Sequence, residues 1–91
     1  MNQISKSISI PGAKITASRR HYFTFDPDFH PERAGQVALI GWHSEAIAEG
    51  EGIVGRSIVT VGLNQRATEA SAREFAQSDW ITKWQAQNQK R

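Results

Sequence analysis

Hydrophobic and polar positions alternate along the first quarter of the chain. In Ile4–Ile10, Ile4, Ile8 and Ile10 share one parity and Ser5, Ser7 and Ser9 the other, the pattern of a half-buried strand. Pro11-Gly12 comes next. Proline presets the first central position of a turn and glycine supplies a positive φ at the second, so a type II turn is expected. A second strand is expected over Lys14–Phe25, with Ile15, Ala17, Phe23 and Phe25 on one parity and Arg20, Tyr22 and Thr24 on the other. Asp26–Pro31 reads D-P-D-F-H-P, two prolines among turn formers, and is expected to be a loop.

Residues 32–49 read two ways. Gln36–His43 fits a strand, with Val37 and Leu39 opposite Ala38, Ile40 and Trp42. From Pro31 onward a helix also fits, since Ala34, Val37, Ile40 and Ile47 fall roughly on one side and proline suits a first turn. Gly35 and Gly41 would each cost that helix about 1 kcal/mol relative to alanine. The strand is favoured, with a short helical turn possible near Ser44–Glu49. Glu49–Gly52 is expected to turn, and Arg56–Leu63 to be a strand with Val59, Val61 and Leu63 on one face and Ile58 and Thr60 on the other.

The C-terminal third has helical spacing. Ser71-x-x-Glu74 fits a capping box, with Thr68 an earlier possible start. Glu69/Arg73 and Asp79/Lys83 are acid-before-base pairs four residues apart. Ala72, Phe75, Ala76, Trp80 and Trp84 share one arc, and Asp79 intrudes on it. A break at Ser78-Asp79 is expected, because both are favoured N-cap residues. Val59, Val61, Phe75 and Trp84 are expected to be buried together. Gln85–Arg91 has no apolar anchor and is expected to fray. Strands first and a helix last give an α+β fold: a three- to five-stranded, mainly antiparallel sheet covered on one face by a C-terminal helix. Residues 1–84 are expected to form one domain and 85–91 its polar tail.

Composition narrows the function classes. With 91 residues there is room for a single core, and 38% hydrophobic residues suffice to build it. Cysteine is absent, which removes thiolate zinc sites and cysteine nucleophiles and favours a reducing, cytoplasmic location. No apolar run reaches the roughly 20 residues that span a bilayer, so no membrane partner is expected. Charge is segregated. Residues 1–25 hold Lys6, Lys14, Arg19 and Arg20 without an acid, residues 26–54 hold six acids against Arg33, and residues 55–91 hold six cations against three acids. Blocks of this kind either neutralise one another across the fold or give it separate basic and acidic faces.

Gly50-x-Gly52-x-x-Gly55 matches a phosphate-loop pattern, but the next residues, R-S-I-V-T-V, read as a strand rather than a helix. A glycine-rich hairpin turn is expected there, and no cofactor. Asp26, Asp28 and His30 stand at alternate positions; with no second cluster, ordinary Asp-Pro turn chemistry is expected rather than a metal. His21 and His43 lack any nucleophile elbow, so no catalytic residue is assigned and the protein is expected not to be an enzyme.

Two segments invite binding readings. Arg19-Arg20-His21-Tyr22-Phe23-Thr24-Phe25 sets cations beside alternating aromatics, as nucleic-acid-binding sheets do, with Lys14, Arg19, Arg20 and Tyr22 the contacts it would use. Trp80 and Trp84, one helical turn apart, could anchor a protein partner or close the core over the sheet. A net charge of only +2 tips the balance to a small accessory protein acting by protein contact, as binder, inhibitor or assembly subunit. A nucleic-acid-binding module is the alternative.

Overall fold

The computed structural model describes residues 8–62 and 64–89, with the side chains of Val61 and Gly62 left aside. Strands β1 (Ala13–Thr24), β2 (Val37–Gly50) and β3 (Ile53–Gly62) precede one helix, α1 (Gln65–Gln89), and a short 3₁₀ turn, Pro31–Arg33, lies between β1 and β2. The strands form a three-stranded antiparallel sheet in the order β1-β2-β3, and α1 packs on it, giving the expected α+β architecture.

Residues 32–49 resolve in favour of the strand. β2 runs unbroken from Val37 to Gly50, with no helical turn at Ser44–Glu49. Gly41 is harmless in extended backbone and Gly35 takes a φ of 87° in the turn before β2, while Ser44, Ala46 and Ala48 provide small side chains at every second position for α1 to rest on. Glu51 and Gly52 link β2 to β3 with φ of 53° and 75°, the paired positive φ values of a two-residue type I′ hairpin. Gly12 takes no positive φ, so the type II turn expected at Pro11-Gly12 is absent. Residues 8–12 carry no regular structure, and most of the strand expected at Ile4–Ile10 lies outside the described residues, as does Leu63.

The helix meets the sheet through small residues. Thr68, Ala72, Ala76 and Trp80 form its buried stripe, against Ala46, Ala48 and Ile53. A Cβ placed on Gly55 would lie 2.3 Å from the Ala76 carbonyl oxygen and 2.5 Å from the Trp80 nitrogen. Gly55 therefore serves backbone approach, not phosphate. That approach also corrects the expected core. Phe75 is 55% exposed, because an interface this narrow accepts alanines and leaves the ring on the flank. Val59 and Trp84 pack at the margin of the core, while Trp80 is completely buried at its centre. The indole Nε1–H of Trp80 donates to the Gly50 carbonyl at 3.0 Å.

Nor does the helix break at Ser78-Asp79. The Asp79 carboxylate accepts the Arg56 N–H on the free edge of β3 at 2.9 Å and pairs with Lys83 at 3.0 Å. Lys83 in turn donates to the Val54 carbonyl at 2.9 Å. Two side chains of α1 thus satisfy backbone groups that an edge strand would leave open. The helix also starts well before the expected capping box. Asn64 Oδ1 accepts the Ala67 N–H at 2.8 Å, so Asn64 is the cap and Ser71 is interior. At the other end the helix continues to Gln89.

Candidate functional site

β1 and β2 outrun the rest of the fold. β3 pairs with β2 only as far as Trp42, whereas β1 and β2 stay paired out to Thr24 and Val37. The first turn of α1 stands beside Ser18, where the Gln65 amide reaches the Ser18 hydroxyl at 3.5 Å. Beyond that level the hairpin projects as a two-stranded arm, closed by residues 25–36. The molecule accordingly extends 62 Å by 24 Å by 21 Å, with a radius of gyration of 18.2 Å, where a compact chain of this length has about 12 Å.

The arm tip is ordered by its own bonds. The Phe29 and His30 N–H groups donate to the Asp26 carbonyl, Arg33 N–H to His30 and Gln36 N–H to Arg33. The Asp28 N–H donates to the Asp26 carboxylate at 2.9 Å, which is the turn chemistry expected of an Asp-Pro segment. Among the described residues no three His, Asp or Glu side chains converge as metal ligands. Arg33 lies over the Phe25 ring, 5.1 Å from its centroid, and His30 meets the same ring edge-on.

Register decides which arm side chains share a face. Ile15 pairs with Ala46 and Ala17 with Glu45, so Thr16 is an extra residue in β1. A bulge of this kind reverses the parity beyond it. Ile15 therefore faces α1 while Ala17 and Phe23 face away, against the single parity read from the sequence. The expected nucleic-acid contacts divide in the same way. Lys14 and Arg19, paired with Ile47 and His43, lie on the open face of the sheet. Arg20 and Tyr22, paired with Trp42 and Ile40, lie on the helix side.

On its helix side the arm presents Tyr22 and Ile40, 52% and 49% exposed; on its other side it presents Leu39, 49% exposed. Val37 and, at the tip, Phe29 are exposed as well. Val37-Ala38-Leu39-Ile40 is apolar on both parities, the pattern of a strand covered on two sides. With one α-helix among the described residues to cover the sheet, that run is the sequence signal for an uncovered arm. The tryptophan pair behaves differently. Trp80 is buried outright, and Trp84 stacks on it with ring centroids 6.5 Å apart, which leaves Trp80 no surface to offer.

The open face holds one polar chain. His43 Nδ1 is 3.0 Å from the Thr60 hydroxyl and its Nε2 is 2.7 Å from the Glu45 carboxylate. The connectivity is that of a hydroxyl, a base and an orienting acid. No element packs over this face among the described residues, and neighbouring Ile58 is 66% exposed; the hydroxyl lies on a sheet surface without walls to hold a substrate. The same bonds satisfy a histidine that is nearly buried.

Where the arm leaves the helix, a shallow open hollow of about 410 Å³ is lined by Gln65, Arg66, Glu69 and Arg73. The Ser18 hydroxyl beside Glu69 holds its carboxyl below the usual range, helped by Gln65 and Arg73 and opposed by burial. No acid stands in the first turn of α1, so its N-terminal partial positive charge is uncompensated there. No helix among the described residues is long and apolar enough to cross a membrane. Comparison of the chain with protein-family models, with curated proteins and with solved structures finds no match.

Proposed function

We propose that this protein works by protein–protein contact, as a non-enzymatic binder, inhibitor or assembly subunit, and that the projecting β1–β2 arm is its contact surface. The observation that carries this reading is the arm itself. Two strands without a third strand or a covering layer are marginal in water, and here they display aliphatic and aromatic side chains on both faces. Exposed apolar patches of this kind mark interaction sites. The nucleic-acid alternative loses support from the register, since its four contact residues divide between two faces and Arg19 has Glu45 two positions from its pairing partner His43.

The test sets the two readings side by side. A tagged chain should retain a specific protein, and a chain carrying Leu39→Lys and Ile40→Lys should release it. Generic duplex DNA or single-stranded RNA should not bind below micromolar at about 150 mM salt, where exposed charge contacts are screened. Submicromolar nucleic-acid binding abolished by Arg19→Ala with Arg20→Ala would replace this proposal with the alternative.

A further inference from the structure

The helix side of the arm is a step. Over the base, α1 forms a second layer on the sheet; over the arm no element among the described residues continues that layer. The missing layer is about 10 Å deep, and two sheets pack face to face at about 10 Å. The floor of the step carries Tyr22, Ile40 and Trp42 with Arg20 at its root. Its inner wall is the start of α1, with Arg66 and Arg73 around the hollow. Its outer end is the arm tip, where Asp26, Asp28 and Glu32 outnumber Arg33.

We infer that the occupant of this step is the arm of a second copy of the same chain, laid face to face and antiparallel about a two-fold axis near Tyr22 and Ile40. This rests on the arm being a contact surface, and adds which partner it meets. Tyr22 stands four residues from Ser18 and four from Asp26, about 13 Å along a strand in either direction. An axis at Tyr22 therefore brings the acidic tip of one arm to the level of Ser18 in the other. There it meets Arg66, Arg73 and the start of α1, whose first turn carries no acid. Glu69 also lines that hollow, and its carboxylate is already engaged by Ser18, Gln65 and Arg73. The contact is isologous, as two-fold dimers require: each copy gives an acidic tip and receives one.

Sedimentation of the full chain and three variants tests the inference. The wild type should sediment as a concentration-dependent dimer that weakens with added salt. Ile40→Asp, on the helix side, should raise the dimer dissociation constant by about 30-fold or more, the loss of one central interface residue. Leu39→Asp, one residue away on the other face, should leave the constant within a few-fold. Because the chain lacks cysteine, Asp28→Cys mixed with Arg66→Cys should form a mixed disulfide on mild oxidation, and each variant alone far less. A wild type that stays monomeric at hundreds of micromolar overturns the inference. So does a dimer broken by Leu39→Asp and not by Ile40→Asp, or one in which the mixed disulfide forms no faster than either self-disulfide. A monomeric wild type that still retains another protein through its arm would overturn the second copy alone and leave the contact function standing.

Discussion

The same two strands run through the base of the molecule and out along the arm, yet the two regions are held by different means. In the base, β1 and β2 gain a third strand and a helix, and the buried stripe of α1 meets Ala46, Ala48 and Gly55 at backbone distance. Polar groups there are provided for: Trp80 bonds to Gly50, Asp79 to Arg56 and Lys83 to Val54. In the arm, the β1–β2 ladder continues with no other element among the described residues stacked on it, and its larger side chains, Tyr22, Leu39 and Ile40, lie half in water. Backbone pairing is therefore common to both, and the second layer is what separates a covered region from one whose apolar side chains lie half in water. Small side chains line the helix–sheet contact around Trp80, and larger apolar ones lie half in water along the arm.

The strongest way to break this comparison is at the helix–sheet contact. Trp80→Ala should destabilise the protein by about 3–5 kcal/mol, the cost of emptying a fully buried aromatic site. Gly55→Ala should cost about 3 kcal/mol, because the added methyl meets helix backbone that cannot move aside. Phe75→Ala, on the exposed flank of the same helix, should stay within about 1 kcal/mol. Urea midpoints for the three variants check the ranking, and a Phe75→Ala loss as large as that of Trp80→Ala would show that the buried stripe has been misplaced.

Amide exchange sharpens the contrast from the other side. The Phe25 N–H, bonded to the Gln36 carbonyl at the end of the arm, should lose protection in Ile40→Asp by a factor of about 10–100, as a two-stranded segment opens locally without its cover. The Ala76 N–H in the buried stripe of α1 should not change. Equal loss at both amides would mean that arm and base unfold as one unit.

Most of the architecture is legible in the sequence, and the departures have specific causes. β1, β3 and the hairpin turn at Glu51-Gly52 follow from alternation and glycine placement. The phase of β1 is not readable beyond Thr16, because a bulge costs one residue and leaves no mark in composition. Phe75 is expected inside because large rings usually bury the most area. Nothing in helical periodicity shows that α1 lies so close to Gly55 that only alanine fits. Asp79 is expected to start a new helix, and its actual partner is the backbone N–H of Arg56, 23 positions earlier in the chain. The candidate site is less legible still. Arg19, Arg20 and Tyr22 do stand where the arm begins; the run Val37-Ala38-Leu39-Ile40, apolar on both parities, signals a strand wanting cover on two sides, but a sequence does not show where its own covering layer stops.

The smallest expected effect concerns Asp79 and is separable by pH. The Arg56 N–H and the Lys83 ammonium both favour its ionised form and hold its carboxyl below the usual range, against a lesser opposing effect of burial. A group whose folded value is depressed contributes stability in full above its unfolded value near 3.9. That contribution is lost as pH falls through the lower, folded value. A hydrogen bond to a charged group is worth about 1.5–3 kcal/mol, which partial exposure reduces here to about 1 kcal/mol. Asp79→Asn keeps an oxygen to accept from Arg56 but cannot ionise. At pH 7 it should therefore be about 1 kcal/mol less stable than the wild type, and the gap should narrow as pH falls from the unfolded value through the lower, folded one. Glu69 is depressed as well and is present in both proteins, so the difference between the two curves isolates Asp79. Urea midpoints measured from pH 2 to pH 7 provide those curves; a gap that stays constant across that range would mean that Asp79 stabilises the β3 edge through packing and not through its charge.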